Sequence, residues 1–331
     1  MSGDFRCSAP VRLDFAGGWT DVAPFSTEQR GLVVNAAIEV RAYAEATLDR
    51  KRYFLQSVDL DQTMELSHEE LSNYGQLELL KAAVRRSGLP PCGLRTWCEA
   101  PPGSGLGSSG ALDVAMVAVL DRARGIQRTG PELAEEAFQL EAVEAGFPGG
   151  RQDQYAAALG GALRLDCNGE GVRPTPLRLD PGFLAALSDQ IVICYTGMSR
   201  VSSRTIERVM QAYGRRDRTV VSALLALVDI AEAMTEALQS SDLARVGTLL
   251  SENWRRQLEL DPEMRTEAMG RLEMAMRDAR VLGGKAAGAG AGGSMFFLAH
   301  DRARAIEAAR ATGSRVIPCR WAAEGVRSEC Q

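Results

Sequence analysis

The 331-residue chain has only two histidines, His68 and His300. A zinc centre built on clustered histidines is excluded, as is a mechanism that needs two imidazoles. The seven cysteines (Cys7, Cys92, Cys98, Cys167, Cys194, Cys319 and Cys330) are odd in number and never spaced as CxxC. That usage reads as reduced thiols in an intracellular compartment, neither a bridge framework nor a metal cluster. No stretch approaches the roughly 18 consecutive apolar residues of a membrane span. The opening MSGDFRCSAPVRLDF lacks the apolar core of a signal peptide. A cytoplasmic protein with no membrane partner is therefore expected. The net charge of −5 supplies no basic footprint, so nucleic acid is not an expected partner either.

Apolar residues at 45% and charged residues at 24% describe a globular chain with a full core, and the length suggests two domains. Strand patterns dominate the first half: residues 11–15, 32–48, 52–58 and 93–99. A helix is predicted from about Ser109 to Arg124, and another opens at Pro131 and stops at Gly146. In the second half a buried strand (190–197) precedes long amphipathic patterns over 202–213, 220–239, 242–260 and 262–282. A strand at 294–299, a helix at 301–312 and a strand at 315–320 close the chain. The polar stretch Asn168–Pro176 and a Pro/Gly turn within Asp180–Asp189 suggest a boundary there, giving domains 1–185 and 186–331.

Glycine is in excess, with 33 residues. Seventeen of them fall in four clusters, at 17–18, 103–110, 146–161 and 283–293. The second cluster, PPGSGLGSSGAL, runs straight into the predicted helix. Its glycines let backbone N–H groups approach a ligand, and a helix start favours a bound phosphate. Ser108 and Ser109 sit at that junction, where a serine hydroxyl can ligate Mg²⁺ or simply cap the helix. The segment contains GxGxxG, but it follows Pro101-Pro102, not a first buried strand, so a dinucleotide site is disfavoured. No Walker A sequence is present.

PPGSGLGSSGAL resembles the second motif of the GHMP kinases. APVRLDFAGGWTD (9–21) resembles their first motif, and KAAGAGAGGSMFF (285–297) their third. AGGWTD, GGRQDQYAAALGG and GAGAGGSMFF are similar to members that phosphorylate sugars at an anomeric hydroxyl, D-glycero-D-manno-heptose 7-phosphate kinases and L-fucose kinases among them. The resemblance implies an α+β fold with an N-terminal domain like ribosomal protein S5 domain 2 and a ferredoxin-like C-terminal domain. It also implies ATP and Mg²⁺.

On this resemblance Asp153 is the catalytic base and Arg12 its basic neighbour. Read from the residues alone, Asp153 complements a helix start as readily as it catalyses. Gly103, Ser104, Gly105, Gly107, Ser108, Ser109 and Gly290 would cradle the nucleotide phosphates. Periodicity puts both Glu141 and Glu144 near the apolar face of the second helix. The family spacing of twelve residues before the catalytic aspartate selects Glu141 as the metal carboxylate, with Ser109 as hydroxyl ligand. Asp21 corresponds to a sugar-binding aspartate, with Gly18 and Trp19 where galactokinase has Glu-His, so galactose is an unlikely acceptor. Arg200 and Arg151 are candidates to hold a phosphate on the substrate. The implied acceptor is heptose 7-phosphate, with a fucose-like hexose as alternative and a non-catalytic sugar and ATP sensor as a different class. A homodimer is allowed for.

Overall fold

The computed structural model describes residues 4–197 and 202–329. In chain order the elements are β1 (Asp4–Ala16), α1 (Phe25–Glu28), β2 (Gly31–Thr47), β3 (Tyr53–Ser57), β4 (Gln62–Leu66), α2 (Glu78–Ser87), β5 (Gly93–Cys98), α3 (Ser108–Arg124) and α4 (Gly130–Gln139). They continue as α5 (Gln152–Leu159), β6 (Ala162–Asn168), β7 (Gly171–Pro176), α6 (Pro181–Gln190), β8 (Ile191–Tyr195), α7 (Ser202–Gly214), α8 (Arg218–Gln239) and α9 (Leu243–Leu260). The chain ends with α10 (Glu267–Asp278), β9 (Gly283–Ala286), β10 (Ser294–Leu298), α11 (Arg302–Ala311), β11 (Arg315–Ile317) and β12 (Arg327–Glu329).

The larger sheet runs β12-β1-β2-β5-β3-β4, and the second, all antiparallel, runs β11-β8-β10-β9. The 17 residues of β2 serve three neighbours. Its first half pairs with β6 and its second half with β5, while β1 lies along the other edge. Helix α3 packs on β1 and β2 through Ala111, Val114, Ala115 and Val119, all 0% exposed. The loop after β1 belongs to the other core, because Trp19, Val22 and Phe25 are buried among α8, α9 and β10 side chains. The loop is thereby fixed between the two sheets.

Several elements differ from the sequence expectation. The helix predicted to run to Gly146 is α-helical only to Gln139, then widens into a π-turn at Leu140–Glu144. The stretch Asn168–Pro176 is the β6–β7 hairpin, with Pro174 and Pro176 tolerated because β7 pairs only with β6. The supposed turn near Asp180 is α6, capped by the Asp180 carboxylate and opened by Pro181. The pattern at 262–282 splits into a short 3₁₀ turn and α10, which is capped by Thr266. The last strand, β12, returns to pair with β1, so the first sheet is built from both ends of the chain. Among the described residues no helix is long and apolar enough to cross a membrane, and six cysteines are free.

Candidate active site

Four glycine-rich segments meet at one cleft of about 270 Å³. Its walls include Arg12, Gly18, Trp19 and Asp21 from the β1 end, and Gly103, Gly105, Gly107, Ser108 and Ser109 from the loop before α3. Glu141, Gly150 and Asp153 close one side, and Gly288 and Ala289 the other.

The loops can approach because side chains are missing. A Cβ on Gly293 would stand 2.7 Å from the Gly103 carbonyl oxygen, and one on Gly288 would stand 2.6 Å from that of Gly105. Ser294 N–H then donates to the Ser104 carbonyl at 2.7 Å, tying the third glycine turn to the second. Gly107, at φ +78°, sends the chain into α3, so the free N–H groups of that helix start face the cleft.

Arg12, 5% exposed, organises the centre. Its Nε donates to Asp153 Oδ1 at 2.8 Å, and its Nη1 donates to the carbonyls of Gly105 and Ala287, both at 2.7 Å. One guanidinium thus joins the carboxylate of α5 to two of the glycine segments. Two residues along β1, Asp14 accepts from the wholly buried Lys285 Nζ at 2.6 Å. Lys285 therefore faces β1 and not the phosphate loop. Asp153 is the second residue of α5 and keeps its side chain 26% exposed to the cleft.

The π-turn separates the two glutamates that periodicity leaves equivalent. Glu144 faces outward and pairs with Arg86 at 3.1 Å. Glu141 turns toward α3 and α5, accepting from Ser109 Oγ and, at 2.7 Å, from Gln154 Nε2. Burial around that carboxylate pushes its pKa up to about 7, with the Asp153 charge adding to the shift. Among the described residues no cation pairs with it. The Glu141 carboxylate and the Ser109 hydroxyl, beside a helix start, offer oxygen ligands of the kind a hard cation takes.

Asp21 is 1% exposed, and its Oδ2 accepts from the Gln152 N–H at 3.0 Å. Burial pushes its pKa up to about 6. Gly150 lies against it so closely that any Cβ would overlap the carboxylate. Around it, Trp19 Nε1, Gln152 Oε1 and Asp14 Oδ1 are buried with no partner. This end of the cleft presents donors and acceptors in the mixture a polyol can satisfy.

Other expected residues lie elsewhere. Ser104 is wholly buried, and Gly290 packs on Met264, so neither lines the cleft. Arg151 points away, its guanidinium 4.0 Å from the Phe138 ring centroid and paired with Glu135 at 3.3 Å. Arg200 lies outside the described residues. Sequence reasoning missed Gln154, and it missed a second cavity of about 370 Å³ that shares Gly103, Ser108 and Ser109 with the first. Leu77, Leu112, Met116 and Tyr74 give that cavity apolar walls. Its residues come from separate loops and helices, which no local motif announces.

Residues 74–161 match the family described as GHMP kinases N terminal domain, and residues 234–316 match GHMP kinases C terminal. The chain is 29% identical to a D-glycero-alpha-D-manno-heptose 7-phosphate kinase of Campylobacter jejuni, covering 98% of both chains. It is 28% identical to a bifunctional fucokinase/GDP-fucose pyrophosphorylase of Arabidopsis thaliana over 91% of its own length, but spans only 30% of that enzyme. The crystal structure of a D-glycero-D-manno-heptose 1-phosphate kinase from Bacteroides thetaiotaomicron superposes with a TM-score of 0.80 at 25% identity, covering 99% of both chains. The chain therefore belongs to the GHMP kinases, with their α+β fold, and is an ATP-dependent phosphotransferase acting on an alcohol group.

Proposed function

We propose that the chain transfers the γ-phosphoryl group of ATP to the anomeric hydroxyl of a sugar or sugar phosphate, with D-glycero-D-manno-heptose 7-phosphate, giving the 1,7-bisphosphate, as the first acceptor. The observation that carries the reading is the Asp153 carboxylate, gripped by Arg12 yet open to a cleft that has a helix start on one side and buried Asp21 on the other. The similarity to the Campylobacter heptose 7-phosphate kinase over 98% of both chains supports this acceptor.

In this reading Asp21 and the Gln152 side chain hold sugar hydroxyls, and Asp153 accepts the proton of the attacking hydroxyl. Arg12 holds Asp153 in place, its Nε bonded to the carboxylate and its Nη1 anchored on the Gly105 and Ala287 carbonyls. The N–H groups at the start of α3 and the loop Gly103–Gly107 receive the phosphates, where partial positive charge favours them. The apolar cavity beside Ser108 takes the purine ring among Leu77, Leu112 and Met116. Glu141 and Ser109 would hold Mg²⁺, which when bound neutralises phosphate charge as transfer proceeds. The unit 1–185 then carries the nucleotide and cation groups, and 186–331 closes the cleft.

A second reading, a fucose-like hexose without a phosphate, draws on a different observation. Among the described residues that line the cleft the only cation is Arg12, and it is already bonded to Asp153. Incubating the protein with ATP, Mg²⁺ and either heptose 7-phosphate or free hexoses, with ADP release as readout, separates the readings. Turnover on heptose 7-phosphate supports the first, and turnover on L-fucose alone supports the second. Sugar binding without any ADP release would make the protein a sensor.

A further inference from the structure

Asp113 lies in α3 one helical turn beyond Ser109. It is 0% exposed, and neither carboxylate oxygen has a hydrogen-bond partner. A core gains nothing from such a group, because an alanine or leucine would pack there without leaving polar atoms unpaired. The carboxyl therefore calls for a partner that is not part of the chain.

Its position says which. Ser109 and Asp113 share a face of α3 through their four-residue spacing, and Ser109 reaches Glu141. Gly110, three residues before Asp113, is where α3 touches α5, since a Cβ there would stand 2.5 Å from Asp153 Cβ. Position 113 thus falls between the surfaces that meet the π-turn and α5. The carboxylates whose charges act on it are those of Glu141 in that turn and Asp153 in α5. Gln154, also 0% exposed, leaves its Oε1 unpartnered while its amide nitrogen bonds Glu141. Three buried oxygens without donors, behind the Ser109–Glu141 pair, favour positive charge on that side of the cleft. Burial, reinforced by the Glu141 and Asp153 charges, raises the Asp113 pKa well above the usual carboxylate value.

We propose that Asp113 is a further carboxylate of the divalent-cation site, set behind Ser109 and Glu141, where its negative charge holds the cation from the protein side. The proposal rests on the reading of Ser109 and Glu141 as the direct ligands. Asp113 is a positioning residue, acting on the cation through that first layer, and it touches neither ATP nor sugar.

The test titrates Mn²⁺ into the full-length protein saturated with ADP, reading free Mn²⁺ by electron paramagnetic resonance against ADP alone. Asp113→Asn keeps the volume, and Asp113→Ser is a second variant that needs less space. Both should weaken Mn²⁺ binding by about 10-fold or more, the loss typical of a group behind the direct ligands. Their Tm without cation should stay level or rise, while the increase in Tm that Mn²⁺ gives the parent protein should shrink. Parent-like Mn²⁺ affinity in both variants, with Glu141→Gln losing it, would overturn the role of Asp113 and leave the direct site standing. A fall in cation-free Tm with the Mn²⁺ increase unchanged would also overturn it, assigning Asp113 to the fold. If the parent itself adds nothing to the Mn²⁺ affinity of ADP, the direct site and Asp113 fall together.

Discussion

Arg12 donates Nε–H to Asp153 Oδ1 at 2.8 Å while its Nη1 bonds the Gly105 and Ala287 carbonyls, each at 2.7 Å. A lysine can replace the charge but not this fork of donors. Arg12→Lys should therefore lower kcat about 10-fold and Arg12→Met about 10²–10³-fold, the cost of removing one preorganised donor or more. Steady-state kinetics check this. Equal kcat for Arg12→Met and the parent would remove Arg12 from the chemistry.

On the proposed mechanism, Asp153→Asn keeps the shape and removes the base. Turnover should fall by about 10²–10⁴-fold, the usual contribution of general-base catalysis. ATP affinity, measured by calorimetry, should stay within a few-fold, because the groups proposed to receive the phosphates lie on α3 and its loop and not on α5.

Gly150 has no room for a methyl group, since a Cβ would overlap the Asp21 carboxylate. Gly150→Ala should displace Asp21 and raise KM for the sugar about 10-fold or more, with KM for ATP nearly unchanged. Equal changes in both constants would mean that the substitution disturbs the whole cleft.

The buried Asp21 carboxyl gives a pH dependence with a definite sign. Its folded pKa of about 6 lies above the ordinary value of 3.8, burial being the main cause. Below pH 4 the folded and unfolded chains both hold the proton, and the contribution to stability is fully present. As pH rises through 6 the folded chain must ionise a buried group, and up to about 3 kcal/mol of stability is lost. Urea midpoints between pH 4.5 and 7.5 should fall less steeply for Asp21→Asn than for the parent.

Lys285 and Asp14 form a wholly buried pair, 0% and 3% exposed, that joins β9 to β1. Lys285→Met leaves a buried carboxylate unpaired and should cost about 3–5 kcal/mol. Adding Asp14→Leu should restore most of that loss in chemical denaturation, because the pair as a whole contributes little compared with apolar packing.

Much of the site was legible in the sequence because glycines mark close approach. The clusters at 17–18, 103–110, 146–161 and 283–293 are where chain segments approach closely, and each holds residues that line the cleft. The helix start at Ser108 and the short helix carrying Asp153 follow from local signals alone. What stayed hidden needs long-range pairing or a change of helical period. A π-turn turns Glu141 inward and Glu144 outward, and a repeat of 3.6 residues cannot report it. Strand β9, GGKA, carries two glycines and no β-branched residue, and it is a strand only because β10 pairs with it. Asp113 sits in a helix whose apolar pattern reads as ordinary core, so only its missing partners reveal it. Two elements do carry local signals: the apolar–polar alternation of LRLDC in β6, and the Asp180-Pro181 start of α6.

The most direct measurement of the central claim is the proton-coupled phosphorus NMR spectrum of the product formed from ATP, Mg²⁺ and heptose 7-phosphate or L-fucose. Transfer to the anomeric oxygen predicts a new phosphate doublet that correlates with the anomeric proton in a proton–phosphorus spectrum, and a doublet correlated with any other ring proton would contradict it. A new triplet, from a phosphate on a primary alcohol, or ADP release without any new sugar phosphate, would contradict the account.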